Sequence, residues 1–223
     1  SSLTGVTIPK GVTSVAYDTF NGCSNLTNVS IPEGVTSIEN NAFLGCRKLA
    51  DIKLPESLTT IGWNAFQNCS SLNSVIIPEH ATNIYGGTFA GCTNLTSAVL
   101  PSEIAYIPSE IFSSCSNLTT VIIPDSVVKI NDDAFRECTG LSTMLIPEGV
   151  TTISSQSFYN CSNLTGLLIP ESLTYIGAEA FLGCTGLKVV YYAGEKASWD
   201  SIQIGTDNSS LIGSVIHCNA THI

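Results

Sequence analysis

Apolar and polar positions along this chain repeat with an unbroken period of 23 residues. The unit reads L-T-x-V-x-I-P-x-x-V-T-x-I-x-x-x-A-F-x-G-C, as residues 26–46 show, and eight copies are followed by a ninth strand segment from Leu187. All eight Phe, eight of the nine Pro and eight of the nine Cys fall on this period. Self-similarity at a period of roughly 20–50 residues is typical of a solenoid, in which each repeat forms one coil.

Each unit predicts three short elements. The L-x-x-V-x-I segment is a strand whose alternate residues, such as Val29 and Ile31, point inward. Pro32 ends this strand, because proline has no N–H to give to a ladder. Residues 35–38 predict a second short strand or an extended turn. The Ala42-Phe43 pair is too short for a stable helix and predicts a single helical or 3₁₀ turn that places Phe in the core.

The predicted fold is a right-handed leucine-rich-repeat solenoid, a β-rich member of the α/β class. Coils stacked about 4.8 Å apart give a parallel sheet of about nine strands on the concave face, with short strands and 3₁₀ turns on the convex side. Residues 1–186 form the eight repeats. Residues 187–223 form the last strand and a C-terminal cap, in which Trp199 covers the last coil.

Two features depart from a regular, closed array. The fifth repeat has Ser102 in place of the usual acid, Pro108 after Ile107, and Ile111 in place of Ala, so we expect a local irregularity there. The chain also opens at the first position of a repeat, although the terminal coils of a solenoid need caps. We therefore expect a missing upstream segment. The oligomeric state is open, since an uncapped coil allows edge-to-edge association.

The Pro after the strand, the Ala-Phe pair and the Cys three residues beyond Phe together resemble the BspA-like, or treponemal-type, leucine-rich repeat family. The resemblance covers residues 3 to about 192. The tail, with residues 191–194, Trp199, residues 202–205 and 216–217, is similar to the closing segment of such proteins from anaerobic gut bacteria. The resemblance implies an extracellular or cell-wall-attached protein. It also implies that relatives include adhesins for host matrix proteins, and it brings no catalytic set.

Charge and hydropathy restrict the partners further. The net charge is −10, and the eight basic residues are scattered along the chain, which argues against nucleic acid and anionic lipid. No apolar run approaches the roughly 20 residues that a membrane helix needs. We expect no membrane span in these residues.

The Cys and His residues do not predict catalysis. Cys residues 23 positions apart point the same way in stacked coils, so they are expected to be small buried core residues rather than disulfides. No C-x-x-C pair suggests zinc, and off-register Cys218 is the candidate exposed thiol. The three His lack a matching nucleophile and acid. We expect no enzyme, no catalytic residue, no cofactor and no metal.

One strand position, between the V and the I of the unit, changes from polar to apolar along the chain and faces outward. We call its apolar part the apolar stripe: Ile76, Val99, Ile122, Leu145, Leu168 and Tyr191. An exposed patch of a few hundred Å² is typical of a binding surface. The stripe could line a groove for a protein, peptide or glycan, with Tyr191 as an anchor. Ordinary strand packing, or contact with an upstream segment or a second molecule, would account for it equally.

A second set of residues directly follows the Pro that recurs in each unit. We call this set the acidic edge: Glu33, Glu56, Glu79, Asp125, Glu148 and Glu171. In register, these carboxylates would lie about 5 Å apart. Solvated turn carboxylates, a basic partner and weak calcium binding all remain open.

The sequence therefore predicts a non-catalytic cell-surface or secreted binding module for a protein or glycan ligand, with adhesion to a host matrix protein as one form. A structural spacer that displays another domain is the alternative. A glycan hydrolase has less support, because it would need a pair of carboxylates about 5–10 Å apart in a cleft.

Overall fold

The computed structural model describes residues 2–222. Two ladders of short parallel strands run along the molecule. The first ladder contains β1 (Gly5–Thr7), β3 (Asn28–Ser30), β6 (Ser74–Ile76), β8 (Ser97–Val99), β10 (Thr120–Val121), β12 (Thr143–Leu145), β14 (Gly166–Ile169), β16 (Val189–Tyr192) and β18 (Val215–His217). The second contains β2 (Ser14–Val15), β4 (Ser37–Ile38), β5 (Thr60–Ile61), β7 (Asn83–Ile84), β9 (Tyr106–Ile107), β11 (Lys129–Ile130), β13 (Thr152–Ile153), β15 (Tyr175–Ile176) and β17 (Gln203–Ile204).

The register of both ladders repeats the period of the sequence. Val6 pairs with Val29 in the first ladder, and Ile38 pairs with Ile61 in the second. Every recorded strand pair is parallel, so equivalent residues of neighbouring coils lie beside one another. The predicted leucine-rich-repeat solenoid with a parallel sheet is confirmed. Within the described residues, no helix is long and apolar enough to cross a membrane.

The ladders are interrupted at defined coils. The first ladder divides into β1-β3, β6-β8-β10 and β12-β14-β16-β18, and residues 51–53 are not assigned to a strand. The second ladder divides between β7 and β9. Asn131 in the next coil donates its N–H to Ile107. Pro108 has no N–H with which to make the equivalent bond to Ile84, so the irregularity expected in the fifth repeat occurs here.

The Ala-Phe segment forms the third side of each coil. It keeps the i→i+3 hydrogen bonds of a 3₁₀ turn, for example from Cys23 N–H to Phe20 O at 3.0 Å. However, the residues two before and two after Phe have positive φ, such as Asn41 at 57° and Gly45 at 70°. A left-handed residue interrupts a continuous helical turn. The expected single helical or 3₁₀ turn is therefore replaced by a series of tight turns.

Two of the stacked columns in the core are formed by Phe and Cys. Neighbouring Phe rings lie 5.2–6.0 Å apart between centroids, and Phe43 to Phe181 are fully buried. All nine Cys are free, and seven of them are buried. Each buried thiol donates to a Phe carbonyl of the preceding coil, as from Cys115 Sγ to Phe89 O at 3.2 Å. The predicted small buried residues thus also supply a weak hydrogen-bond donor. Cys218 is only partly exposed, as is Cys23.

The tail closes the C-terminal end of the solenoid. It contains two short helices, α1 (Lys196–Ser201) and α2 (Ser209–Ile212), while β17 and β18 add one strand to each ladder. Trp199 is 9% exposed, and its ring meets the buried Tyr192 ring edge-on at 5.3 Å. Trp199 therefore covers the last coil, as its position in the tail predicts.

Candidate functional site

The apolar stripe lies on the outer face of the first ladder. In β6, Val75 is buried while Ser74 and Ile76 point outward, because successive side chains of a strand alternate between its faces. Four members of the stripe are more than half exposed: Ile76 (70%), Val99 (51%), Ile122 (78%) and Leu145 (57%). They occupy four consecutive coils. The structure therefore gathers these predicted residues on one solvent-facing surface.

The last two members of the stripe are partly covered by the tail. The Tyr191 ring stacks on the His217 ring, with centroids 5.6 Å apart. Leu168 lines a groove together with the tail residues Thr221 and His222. Backbone bonds from Asn219 to Gly194 and from Ala220 to Tyr192, both 3.0 Å, hold this part of the tail against the sheet. Tyr191, predicted as an anchor, is therefore already in contact with an aromatic neighbour.

A groove opens beside the stripe where the first ladder is interrupted between β10 and β12. Its volume is about 710 Å³. Its lining includes the apolar side chains of Ile122, Leu145 and Leu168, several Thr residues and the acidic-edge residues Asp125 and Glu148. An adjoining depression of about 390 Å³ on the β8 side shares Ile122 and Asp125 with it. The structure thus brings part of the stripe and part of the acidic edge together.

All six carboxylates of the acidic edge are exposed. Two of them bond to the turn of the next coil. Glu33 accepts the backbone N–H groups of Glu56 and Ser57, each at 3.3 Å. Glu79 accepts the N–H of Ser102 at 2.7 Å and its hydroxyl at 2.9 Å. These bonds, the backbone bond most of all, lower the pKa of Glu79.

Ser102 departs from the usual acid, and its hydroxyl donates to Glu79 in addition to the backbone N–H. Across residues 2–222, no group of three or more His, Cys, Asp or Glu side chains is arranged to hold a metal ion. Glu33 and Glu79 of the acidic edge thus connect the turns of successive coils through their hydrogen bonds.

Two features of the structure were not predicted from the sequence. Asn208 is 1% exposed and is the hydrogen-bonding centre of the cap. Trp63 and Tyr85 form an exposed aromatic pair just after strands β5 and β7 of the second ladder, with centroids 5.7 Å apart. Most other repeats have non-aromatic residues at these two positions, with Tyr17 at the Trp63 position as an exception. Comparing repeat columns for isolated aromatic residues would have found the pair.

The match to a family model decides the relationship of this chain to known proteins. The model described as BspA type Leucine rich repeat region matches residues 1–119 and 105–204, in six copies. The chain belongs to the BspA-type leucine-rich repeat family. The resemblance seen in the Pro, Ala-Phe and Cys positions is thereby confirmed. No match was found among curated proteins.

Three solved structures share the fold. A leucine rich cell surface protein from Faecalibacterium prausnitzii is 29% identical, has a TM-score of 0.62, and the match covers 90% of this chain and 62% of that one. A leucine-rich repeat protein from Bacteroides ovatus is 27% identical, with a TM-score of 0.66 and coverage of 98% and 63%. The T. pallidum Leucine Rich Repeat protein is 28% identical, with a TM-score of 0.62 and coverage of 84% and 79%. This chain thus spans less than two thirds of the first two proteins.

Proposed function

We propose that this chain is a non-catalytic binding module of a bacterial cell-surface or secreted protein, and that the apolar stripe around Ile122 and Leu145 contacts a protein ligand. The observation that carries the proposal is the solvent exposure of these two side chains, 78% and 57%, beside a groove of about 710 Å³. The similar protein from Faecalibacterium prausnitzii is a cell surface protein, which supports the location.

Strand formation alone does not account for the stripe. The same outward position holds Thr7 in β1 and Ser30 in β3, and both strands form with these polar residues. Apolar residues stabilise strands mainly by packing against neighbours, yet Ile122 keeps most of its surface in water. The fold therefore does not require an apolar residue here, which supports a binding role.

The composition of the groove favours one class of ligand. Its lining combines apolar side chains with the hydroxyl groups of Thr119, Thr120 and Thr143 and the carboxylates of Asp125 and Glu148. Protein interfaces combine an apolar centre with a polar rim, and complementary charges at the rim speed association. The matching ligand is an apolar protein segment flanked by basic residues. A host matrix protein with such a segment would make the module an adhesin.

The test measures binding of the chain to immobilised matrix proteins such as fibronectin, laminin and collagen. Covering an Ile or Leu side chain contributes about 1.5–3 kcal/mol, and 1.4 kcal/mol corresponds to about tenfold in affinity. The double variant Ile122→Ser/Leu145→Ser should therefore bind more than about tenfold more weakly, with an unchanged melting curve.

The matched control is Val128→Ser, which removes a 50% exposed apolar side chain beside the second ladder. This variant should bind like the unmodified chain. Absence of binding by the unmodified chain, or equal binding by the double variant, would favour a spacer that displays another domain. Glycans arrayed in the same experiment would reveal a saccharide ligand in place of a protein.

A further inference from the structure

We propose a second binding site, for a neutral saccharide, beside the second ladder around Trp63 and Tyr85. The apolar stripe lies on the first ladder, and the argument for this site does not depend on the function proposed for the stripe. Both rings are accessible, with Trp63 50% and Tyr85 45% exposed. Their centroids are 5.7 Å apart and their planes are inclined by 42°, so together they form one angled aromatic surface.

The indole ring of Trp63 is held in place by its neighbours. Its backbone N–H donates to Asn40 Oδ1 at 2.8 Å, which fixes the start of the side chain. The ring lies over Gly86 of the next coil, where a Cβ would come within 2.3 Å of a ring carbon. Glycine at this point therefore creates the space that the indole fills. A rigid aromatic surface loses little conformational entropy when a ligand binds.

The repeat does not require either aromatic residue. The position of Trp63 holds Tyr17, Asn40, Gly86, Ser109, Asp132 and Ser155 in other coils. The position of Tyr85 holds Ala16, Glu39, Gly62, Pro108 and Asn131. The chain has two Trp, and the other, Trp199, is buried in the cap. An exposed Trp paired with a Tyr, where the fold accepts small polar residues, indicates a contact surface.

The segment that carries the pair has few charged residues and many hydrogen-bonding groups. Between Ser57 and Ser102, the only Asp, Glu, Lys or Arg is Glu79, which belongs to the acidic edge. Asn83 lies in β7, two residues before Tyr85, and is exposed as Tyr85 is, with Thr60 as its register partner. Tyr106, 49% exposed, follows in the next coil.

This chemistry selects the class of ligand. No Lys or Arg lies between residues 57 and 102 to attract an anionic ligand. The Glu39 carboxylate of the preceding coil already accepts the hydroxyl groups of Ser14 and Ser37, which leaves it less free to bind a cationic ligand. A sugar ring presents an apolar C–H face that can lie on an aromatic ring, and hydroxyl groups that bond with side-chain amides and hydroxyls. Side-chain amides and hydroxyls are the polar groups found here. A neutral oligosaccharide therefore fits the site better than a charged glycan or a peptide.

The experiment titrates the whole chain with soluble neutral polysaccharides, namely a β-glucan, a xylan and a galactomannan, and follows tryptophan fluorescence and retardation in affinity gels. Binding to at least one polysaccharide should shift the emission and protect Trp63 from acrylamide. Trp63→Ala and Tyr85→Ala should each lower the affinity at least about tenfold. Tyr17→Ala should leave it unchanged, since Tyr17 is a 62% exposed aromatic at the Trp63 position two coils away.

Melting curves of the three variants establish that each one folds. The proposal is overturned if none of the three polysaccharides retards the unmodified chain in the gel. It is also overturned if Trp63→Ala is retarded as strongly as the unmodified chain. A proline-rich peptide that quenches Trp63 while the polysaccharides do not would also overturn it, because an aromatic pair serves such peptides too. Failure of the apolar stripe to bind matrix proteins would not affect the outcome of this polysaccharide experiment.

Discussion

The side-chain oxygen of Asn208 accepts the backbone N–H of Phe181 at 2.9 Å. In earlier coils the equivalent Phe N–H donates to a backbone carbonyl of the next coil, as Phe158 does to Ala180. The coil that contains Phe181 has no regular successor, so Asn208 supplies the acceptor from a side chain. Its amide nitrogen also donates to Gly177 O at 2.8 Å and to Gly205 O at 2.9 Å. One buried amide thus continues the ladder and ties the cap to it.

Replacing Asn208 by Leu should destabilise the C-terminal coils. The change leaves the buried Phe181 N–H and the Gly177 carbonyl without these partners, and each unsatisfied buried group costs about 1–3 kcal/mol. Because each coil contacts only its neighbours, the effect should be local. Hydrogen exchange should show loss of protection at Phe181 before it reaches the first coils.

Asn94→Leu is the matched control for this substitution, since Asn94 is exposed in a turn. It should leave exchange near Phe181 unchanged. Equal protection at Phe181 in both variants would show that the Asn208 side chain does not hold the cap.

Trp199→Ala should lower the melting temperature more than Trp63→Ala. Trp199 is 9% exposed and packs on Tyr192, whereas Trp63 is 50% exposed. Removing a buried aromatic side chain typically costs about 3–5 kcal/mol, and an exposed one costs far less. Thermal unfolding of the two variants, monitored by circular dichroism, measures this difference in melting temperature. A larger loss for Trp63→Ala would contradict the covering role of Trp199.

The repeated positions account for what the sequence could predict. Leu26, Phe43 and Cys46 recur at one spacing, and their inward direction follows from the alternation of a strand and the closing of a coil. The cap could not be derived this way, because Asn208 occurs once and its role depends on two backbone groups far away in the sequence, Phe181 N–H and Gly177 O. The coverage of Tyr191 by His217 also depends on a tail without a repeat.

The backbone of the Ala-Phe turns was predicted incompletely for a related reason. Gly22, Gly45 and Gly183 indicate a left-handed position two residues after Phe. The equivalent Ser114 and Glu137 adopt the same conformation without any sign in their residue type. Hydrogen bonds between coils, such as that from Ser114 N–H to Arg136 O at 2.7 Å, impose this conformation.

Gly45→Ala should destabilise the chain although there is space for a methyl group. A Cβ at Gly45 would meet its nearest neighbour at 3.9 Å, so no clash is expected, but its φ of 70° is left-handed. An L-residue in that conformation costs about 1–2 kcal/mol. Gly5→Ala is the control: a Cβ there also has an ordinary contact, at 3.8 Å, and Gly5 is not among the positive-φ residues. Denaturant unfolding should separate the two, and equal stabilities would refute the argument from φ.

Stability should fall at alkaline pH because of the buried Cys column. Burial raises the pKa of Cys115 from its ordinary value of 9.0 to about 12. Below pH 9 both states keep the proton; between about pH 9 and 12 only the unfolded state releases it, so the free energy of unfolding decreases as pH rises. Cys115→Ala should lower stability at pH 7 but flatten this decline relative to the unmodified chain. Denaturant unfolding at pH 7, 9 and 10.5 measures both slopes, and identical slopes would contradict the assignment to Cys115.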